Sequence, residues 1–191
     1  MTTEAYKAQV QLLVRVLPFV AAEDCFALKG GTAINLFVRD LPRLSVDIDL
    51  AYLPVADRPA SLAAIEAALL RIKTAIEGGI PGATVSTSRT QPENKIVKLV
   101  VAIQGAQIKI EVTPVLRGSV FPAVPMAVTD SVQTAFGFAE IQVLSFADLY
   151  AGKLVAALDR QHPRDLFDAR DLLANEGVDE NLRRAFLVYL I

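Results

Sequence analysis

Between residues 28 and 52 the chain reads LKGGTAINLFVRDLPRLSVDIDLAY, and no other stretch limits its folds so tightly. Residues 26–29 have the apolar density of a short buried strand. Gly30 and Gly31 break it, and residues 32–38 carry the spacing of a short helix. A strand that ends in two glycines and opens a helix presents backbone N–H groups at the positive end of the helix dipole, a setting that suits an anion such as phosphate. The same glycines also fit a plain tight turn that brings helix and strand together. Farther on, Ser45, Asp47 and Asp49 alternate with Val46, Ile48 and Leu50. Alternate side chains of an extended segment share a face, so the pattern predicts a strand over 45–50 that sends both carboxylates to one side and its aliphatics into a core. Two carboxylates about 5 Å apart repel by roughly 3 kcal/mol at an effective dielectric of about 20. A divalent cation removes that penalty, and Mg²⁺ binds through one or two carboxylates together with substrate phosphates. The alternative is a solvated edge strand whose aspartates face water.

GGTAINLF followed by RLSVDIDL resembles the nucleotidyltransferase superfamily that includes DNA polymerase beta, and within it the AbiEii-type toxins of bacterial toxin–antitoxin and phage-defence systems. Arg43, Ser45, Asp47 and Asp49 after the glycine pair carry the resemblance. A second block, KLVAALDRQHPRDLFD over 153–168, extends it across most of the chain. The resemblance implies an α/β (α+β) protein of the polymerase-beta-like nucleotidyltransferase fold, a mixed twisted sheet packed by helices with a helical C-terminal portion. It further implies Mg²⁺ or Mn²⁺ on Asp47 and Asp49, and NTP phosphates near Gly30, Gly31, Thr32, Arg43 and Ser45. Transfer of a nucleoside monophosphate to an acceptor hydroxyl follows, with tRNA as an acceptor in some members and a cognate antitoxin as partner.

Composition bounds the remaining choices. At 191 residues the chain is one compact domain or a domain with a small appendage. The expected division is a nucleotidyltransferase core over 1–144 and a helical portion over 145–191 packed on it. A net charge of −2 argues against nucleic-acid binding through overall charge and leaves room for a local basic patch. A single cysteine, Cys25, excludes an internal disulfide and reads as a core position, and a single histidine, His162, excludes a histidine-rich metal centre. Glu4, Lys7, Arg15 and Pro18 interrupt the N-terminal apolar run, which fits neither a signal peptide nor a membrane span, so the cytoplasm is the default location.

Residues 3–17 have helical periodicity, with Thr2 or Thr3 as cap, and 61–77 read as an Ala/Leu-rich helix that Gly78 and Gly79 stop. Strands are expected over 83–89, 95–103 and 107–113, the last two as a hairpin, with short strands over 125–128 and 140–144. On the third of these, Lys109 and Glu111 alternate with Ile108, Ile110 and Val112. If this strand lies beside the aspartate strand, Glu111 becomes a third carboxylate, which in the resembled superfamily completes the metal site or takes the proton from the attacking hydroxyl. An exposed ion pair with Lys109 is the other reading.

Ser145 with Asp148 three residues on resembles a capping box, and it opens a helix on which Lys153, Ala157 and Arg160 fall near one face. Spacing alone favours a solvated surface for that lysine. The resemblance instead puts Lys153, and Asp165 of the Arg164–Asp165 pair, in the active site, with Lys153 on the triphosphate and Glu111 or Asp165 as base. Arg164 and Asp168 are also spaced as an ordinary helical pair. The last helix, over 179–191, ends in AFLVYLI, which suggests a truncated, swapped or docked segment, whereas AbiEii-type proteins often continue into a larger helical part. Two other functions remain open: a nucleotidyltransferase acting on a small molecule or a protein, and a non-catalytic partner-binding remnant.

Overall fold

The computed structural model describes residues 3–191. The chain forms two compact units, one running to Gly118 and taking in Pro125–Val143, the other comprising Ser119–Val124 and Leu144–Ile191.

In the first, α1 (Thr3–Ala21) precedes β1 (Phe26–Lys29), and α2 (Gly30–Ala33) runs straight into a π-helical turn (Ile34–Val38). Then come β2 (Ile48–Tyr52), α3 (Arg58–Gly79), β3 (Thr84–Arg89), β4 (Ile96–Ile103) and β5 (Ala106–Arg117). β6 (Val124–Ala127), α4 (Asp130–Phe136) and β7 (Glu140–Val143) follow. Among the described residues the strands make one seven-stranded mixed sheet in the order β3-β4-β5-β2-β1-β7-β6. β2 is its central strand, antiparallel to β1 and parallel to β5.

The two-residue period decides what each face does. β5 buries Ala106, Ile108, Ile110 and Val112 and turns Gln107, Lys109 and Glu111 the other way. α1 and α3 pack on strands β4 and β5, where Val10, Leu13 and Leu17 join Ile65, Leu69 and Ile72 over Leu99, Val101, Ile108 and Ile110. Each such side chain contributes about 1.5–3 kcal/mol by leaving water. The opposite face of these strands keeps Lys98, Lys109 and Glu111.

Several boundaries differ from expectation for identifiable reasons. The central strand begins at Ile48, so Ser45 and Asp47 precede it. Its ladder partners start there, with Ile48 opposite Ile110, whereas alternation in a sequence reports faces and not hydrogen-bond partners. α1 continues through Pro18 because Val16, Leu17 and Val20 are fully buried, and this packing outweighs the missing N–H. Thr2, one of the two suggested caps, lies outside the described residues, and Thr3 is the first helical residue. Gly78 and Gly79 do not stop α3 but form its last turn. A Cβ on Gly79 would meet the Phe19 ring at 2.5 Å, so this glycine permits the close approach of α3 to α1. α4 was not foreseen, being too short for a helical period to stand out. Cys25 is half-buried, not in the core, and burial pushes its thiol pKa up.

The second unit is helical: α5 (Phe146–Arg160), α6 (Pro163–Asn175) and α7 (Glu180–Leu190). Ser145 caps α5 as expected, its hydroxyl accepting from the Asp148 N–H at 3.0 Å. No helix among the described residues is long and apolar enough to cross a membrane.

Candidate active site

The segment after β1 folds tightly because its residues are small. Gly30 has φ +76, a conformation that side chains rarely adopt, and a Cβ there would stand 2.7 Å from Oδ2 of Asp49. A Cβ on Gly31 would stand 2.6 Å from a guanidinium nitrogen of Arg43 and 2.8 Å from the Ser45 hydroxyl. Thr32 and Ser45 share a hydrogen bond of 3.1 Å and both are buried. The first turn of α2 therefore lies against Asp49 on one residue and against Arg43 and Ser45 on the next.

The loop that brings Arg43 and Ser45 there is tied down by side chains the sequence reading passed over. Asn35, fully buried in the π-helical turn, accepts from the Arg43 N–H at 3.3 Å and donates to the Tyr6 hydroxyl at 3.3 Å. Tyr6 in turn donates to the Arg43 carbonyl at 3.4 Å. An asparagine inside the otherwise apolar run AINLFV was the available signal, since a buried amide needs partners.

Sheet register then lines up charge across four strands. Lys29 stands opposite Asp49, Asp49 opposite Glu111, and Glu111 opposite Lys98. The Lys98 ammonium reaches a Glu111 carboxylate oxygen at 2.8 Å. Burial lowers the pKa of Lys29, and the charges of Asp49 and Glu111 oppose that fall. So Glu111 does neighbour the aspartate strand, but its ion pair is with Lys98 and not with Lys109. Among the described residues no group of three or more His, Cys, Asp or Glu could hold a metal ion. Asp47, Asp49 and Glu111 therefore do not form a ready-made three-carboxylate cage.

In the second unit Lys153 is buried, contrary to what its spacing favoured, and its ammonium lies 2.7 Å from Asp165 and 3.2 Å from Asp168. Arg160 adds a 2.6 Å contact to Asp165. Burial on its own would raise the Asp165 pKa, but hydrogen bonds from Arg160 and Lys153 and the charges of both outweigh it and hold the carboxyl at about 2. His162 caps α6, its Nδ1 accepting from the Arg164 N–H at 3.2 Å.

The family described as Nucleotidyl transferase AbiEii toxin, Type IV TA system, matches residues 11–191. The chain belongs to that family. Its fold is similar to that of MenT4, a nucleotidyltransferase toxin of Mycobacterium tuberculosis H37Rv, with a TM-score of 0.71 at 18% identity. That likeness covers 99% of this chain and 66% of MenT4, so the chain spans just under two thirds of that protein's length. No curated protein matches at the sequence level. As a member of the AbiEii family, the chain has the diglycine turn and the aspartate strand in one unit, and the Lys153, Asp165 and Asp168 cluster in the other.

Proposed function

We propose that this AbiEii-family protein transfers a nucleoside monophosphate from an NTP to an acceptor hydroxyl of RNA, tRNA in particular. On this reading it acts as a toxin that a cognate antitoxin restrains. The observation that carries the proposal is the approach of Asp49 to Gly30, which puts a carboxylate within van der Waals reach of a helix start already bordered by Arg43, Ser45 and Thr32.

The donor set fits a hard divalent cation. Asp47 and Asp49 offer only carboxylate oxygens, and with no third acidic ligand gathered among the described residues the remaining positions suit phosphate oxygens, the pattern Mg²⁺ and Mn²⁺ favour. Asp47 and Asp49 would hold the ion, which when bound supplies neutralisation of phosphate charge. The chain's own groups do the rest. Gly30 and Gly31 let Asp49, Arg43 and Ser45 close on the first turn of α2, Arg43 counters the charge of a phosphate bound beside that cluster, and whichever of the paired Ser45 and Thr32 hydroxyls accepts in their mutual bond has its own proton to donate to it. Glu111 is assigned the acceptor's proton. Asp165, held at about 2, is a poor proton acceptor near neutrality, and its role is to orient Lys153. Lys153 is assigned a contribution to charge neutralisation on the strength of the family block that contains it.

Incubation with each labelled NTP and total tRNA tests the proposal: label should enter RNA with at least one NTP, and Asp47→Asn or Asp49→Asn should reduce incorporation at least about 100-fold. Absence of labelled RNA with every NTP would count against the tRNA acceptor and favour a small-molecule or protein acceptor.

A further inference from the structure

The row Lys29, Asp49, Glu111, Lys98 is consecutive in register across β1, β2, β5 and β4, and opposed residues in a sheet point to the same face. Its charges read plus, minus, minus, plus. The two carboxylates occupy neighbouring strands, whose backbones lie about 4.8 Å apart, and like charges so placed destabilise the pair. In the folded chain a lysine stands at each end of this acid pair, placed to offset that repulsion. Lys98 does so at one end by direct contact with Glu111. Lys29 does so at the other, half-buried between the β1 terminus and the diglycine turn, with the charges of both Asp49 and Glu111 acting on it.

We propose that Lys29 and Lys98 are positioning residues that bracket Asp49 and Glu111 as built-in counter-cations, holding the acid pair together before substrate arrives and competing with the divalent cation for it. This rests on the reading of Asp47 and Asp49 as the metal-holding pair. The arrangement makes metal binding conditional. Alone, a cation must displace the influence of two ammonium groups, whereas a cation that arrives with a polyphosphate brings anionic oxygens to which the lysines can turn. The sequence placed neither lysine in the site, although a charged residue closing the apolar strand FALK immediately before a diglycine turn was visible.

Mn²⁺ titration of the full chain without nucleotide, followed by electron paramagnetic resonance, separates this from a plain structural role. Lys29→Met and Lys98→Met should each bind Mn²⁺ about three- to tenfold more tightly than wild type, because a competing charge is gone. Each should also melt at a lower temperature in EDTA and recover most of that loss on addition of Mn²⁺. A lysine with only a packing role would lower the melting temperature equally with and without metal and leave the affinity unchanged. Lys98 is partly exposed, so Lys98→Met keeps the test open if Lys29→Met fails to fold. Wild type that binds Mn²⁺ while the folded variants bind it no more tightly overturns the inference and leaves the metal-site reading standing. If neither wild type nor either folded variant binds Mn²⁺, with or without an added NTP, the metal-site reading falls and the inference with it.

Discussion

Gly30 is the residue on which the local geometry turns. It combines a left-handed φ of +76 with a Cβ position only 2.7 Å from Asp49 Oδ2, so any side chain incurs both backbone strain and a collision. Gly30→Ala should lower stability by about 1–2 kcal/mol and weaken NTP binding more than that loss explains, because Asp49 has to move. Thermal unfolding alongside nucleotide titration checks both parts, and an unchanged nucleotide affinity would separate this turn from the binding site. Asp165 gives a second prediction at this scale. Its pKa falls from 3.8 in the unfolded chain to about 2 in the fold, so its stabilising contribution is present above about pH 4 and is lost as pH falls through about 2. The stability difference between wild type and Asp165→Asn should therefore shrink by about 2 kcal/mol between about pH 5 and about pH 2 in denaturant titrations. Spacing alone favoured a solvated face for Lys153, because periodicity shows which residues share a side of a helix and not what faces that side. The apolar stripe was readable, whereas the carboxylates of Asp165 and Asp168 come from the next helix and left no mark on the spacing within α5.

Elements whose two-residue period and turn chemistry agreed were legible in order and type: the β4 and β5 hairpin, β1 before the diglycine turn, and the Ser145 start of α5. What stayed hidden was partnership. β2 pairs in parallel with β5 across a long stretch of sequence, and nothing local announced that Asp49 would stand opposite Glu111. α7 makes the same point. Its apolar C-terminal run suggested docking, and Leu182 and Ala185 are indeed buried while Leu187, Val188, Leu190 and Ile191 stay exposed. A polar tie adds to that contact, for the Tyr189 hydroxyl donates to Asp148 at 3.1 Å, and burial pushes the tyrosine pKa up, with the Asp148 charge adding to it. Asp148 also accepts from the backbone N–H groups of Val120 and Phe121 and from the Ser145 hydroxyl, so one buried carboxylate joins the start of α5, the 119–124 segment and α7. Tyr189→Phe should cost about 1–2 kcal/mol, since it removes a donor to a charged, buried acceptor that keeps its other partners. Hydrogen exchange should show faster opening in α7 than in α5, and equal acceleration in both would mean that this bond is not what holds α7.

For the molecule as a whole, the question is whether any toxicity arises from chemistry or from occupation of a partner. A chain of net charge −2 weakly repels RNA through its overall field, so a toxic effect through simple RNA sequestration would need a strong local basic surface. Catalysis has no such need, because each molecule acts repeatedly and a modest affinity suffices. Replacing Asp47 and Asp49 together by asparagine changes the net charge in the direction that favours RNA binding while removing the carboxylates assigned to the metal. If the effect is chemical, induced expression of wild type should arrest bacterial growth and the double variant, accumulating to the same level, should allow it. If the effect is sequestration, the double variant should arrest growth at least as strongly. Growth curves with immunoblots of both proteins distinguish the two, and arrest that survives the loss of both aspartates would replace the transferase mechanism with a binding one.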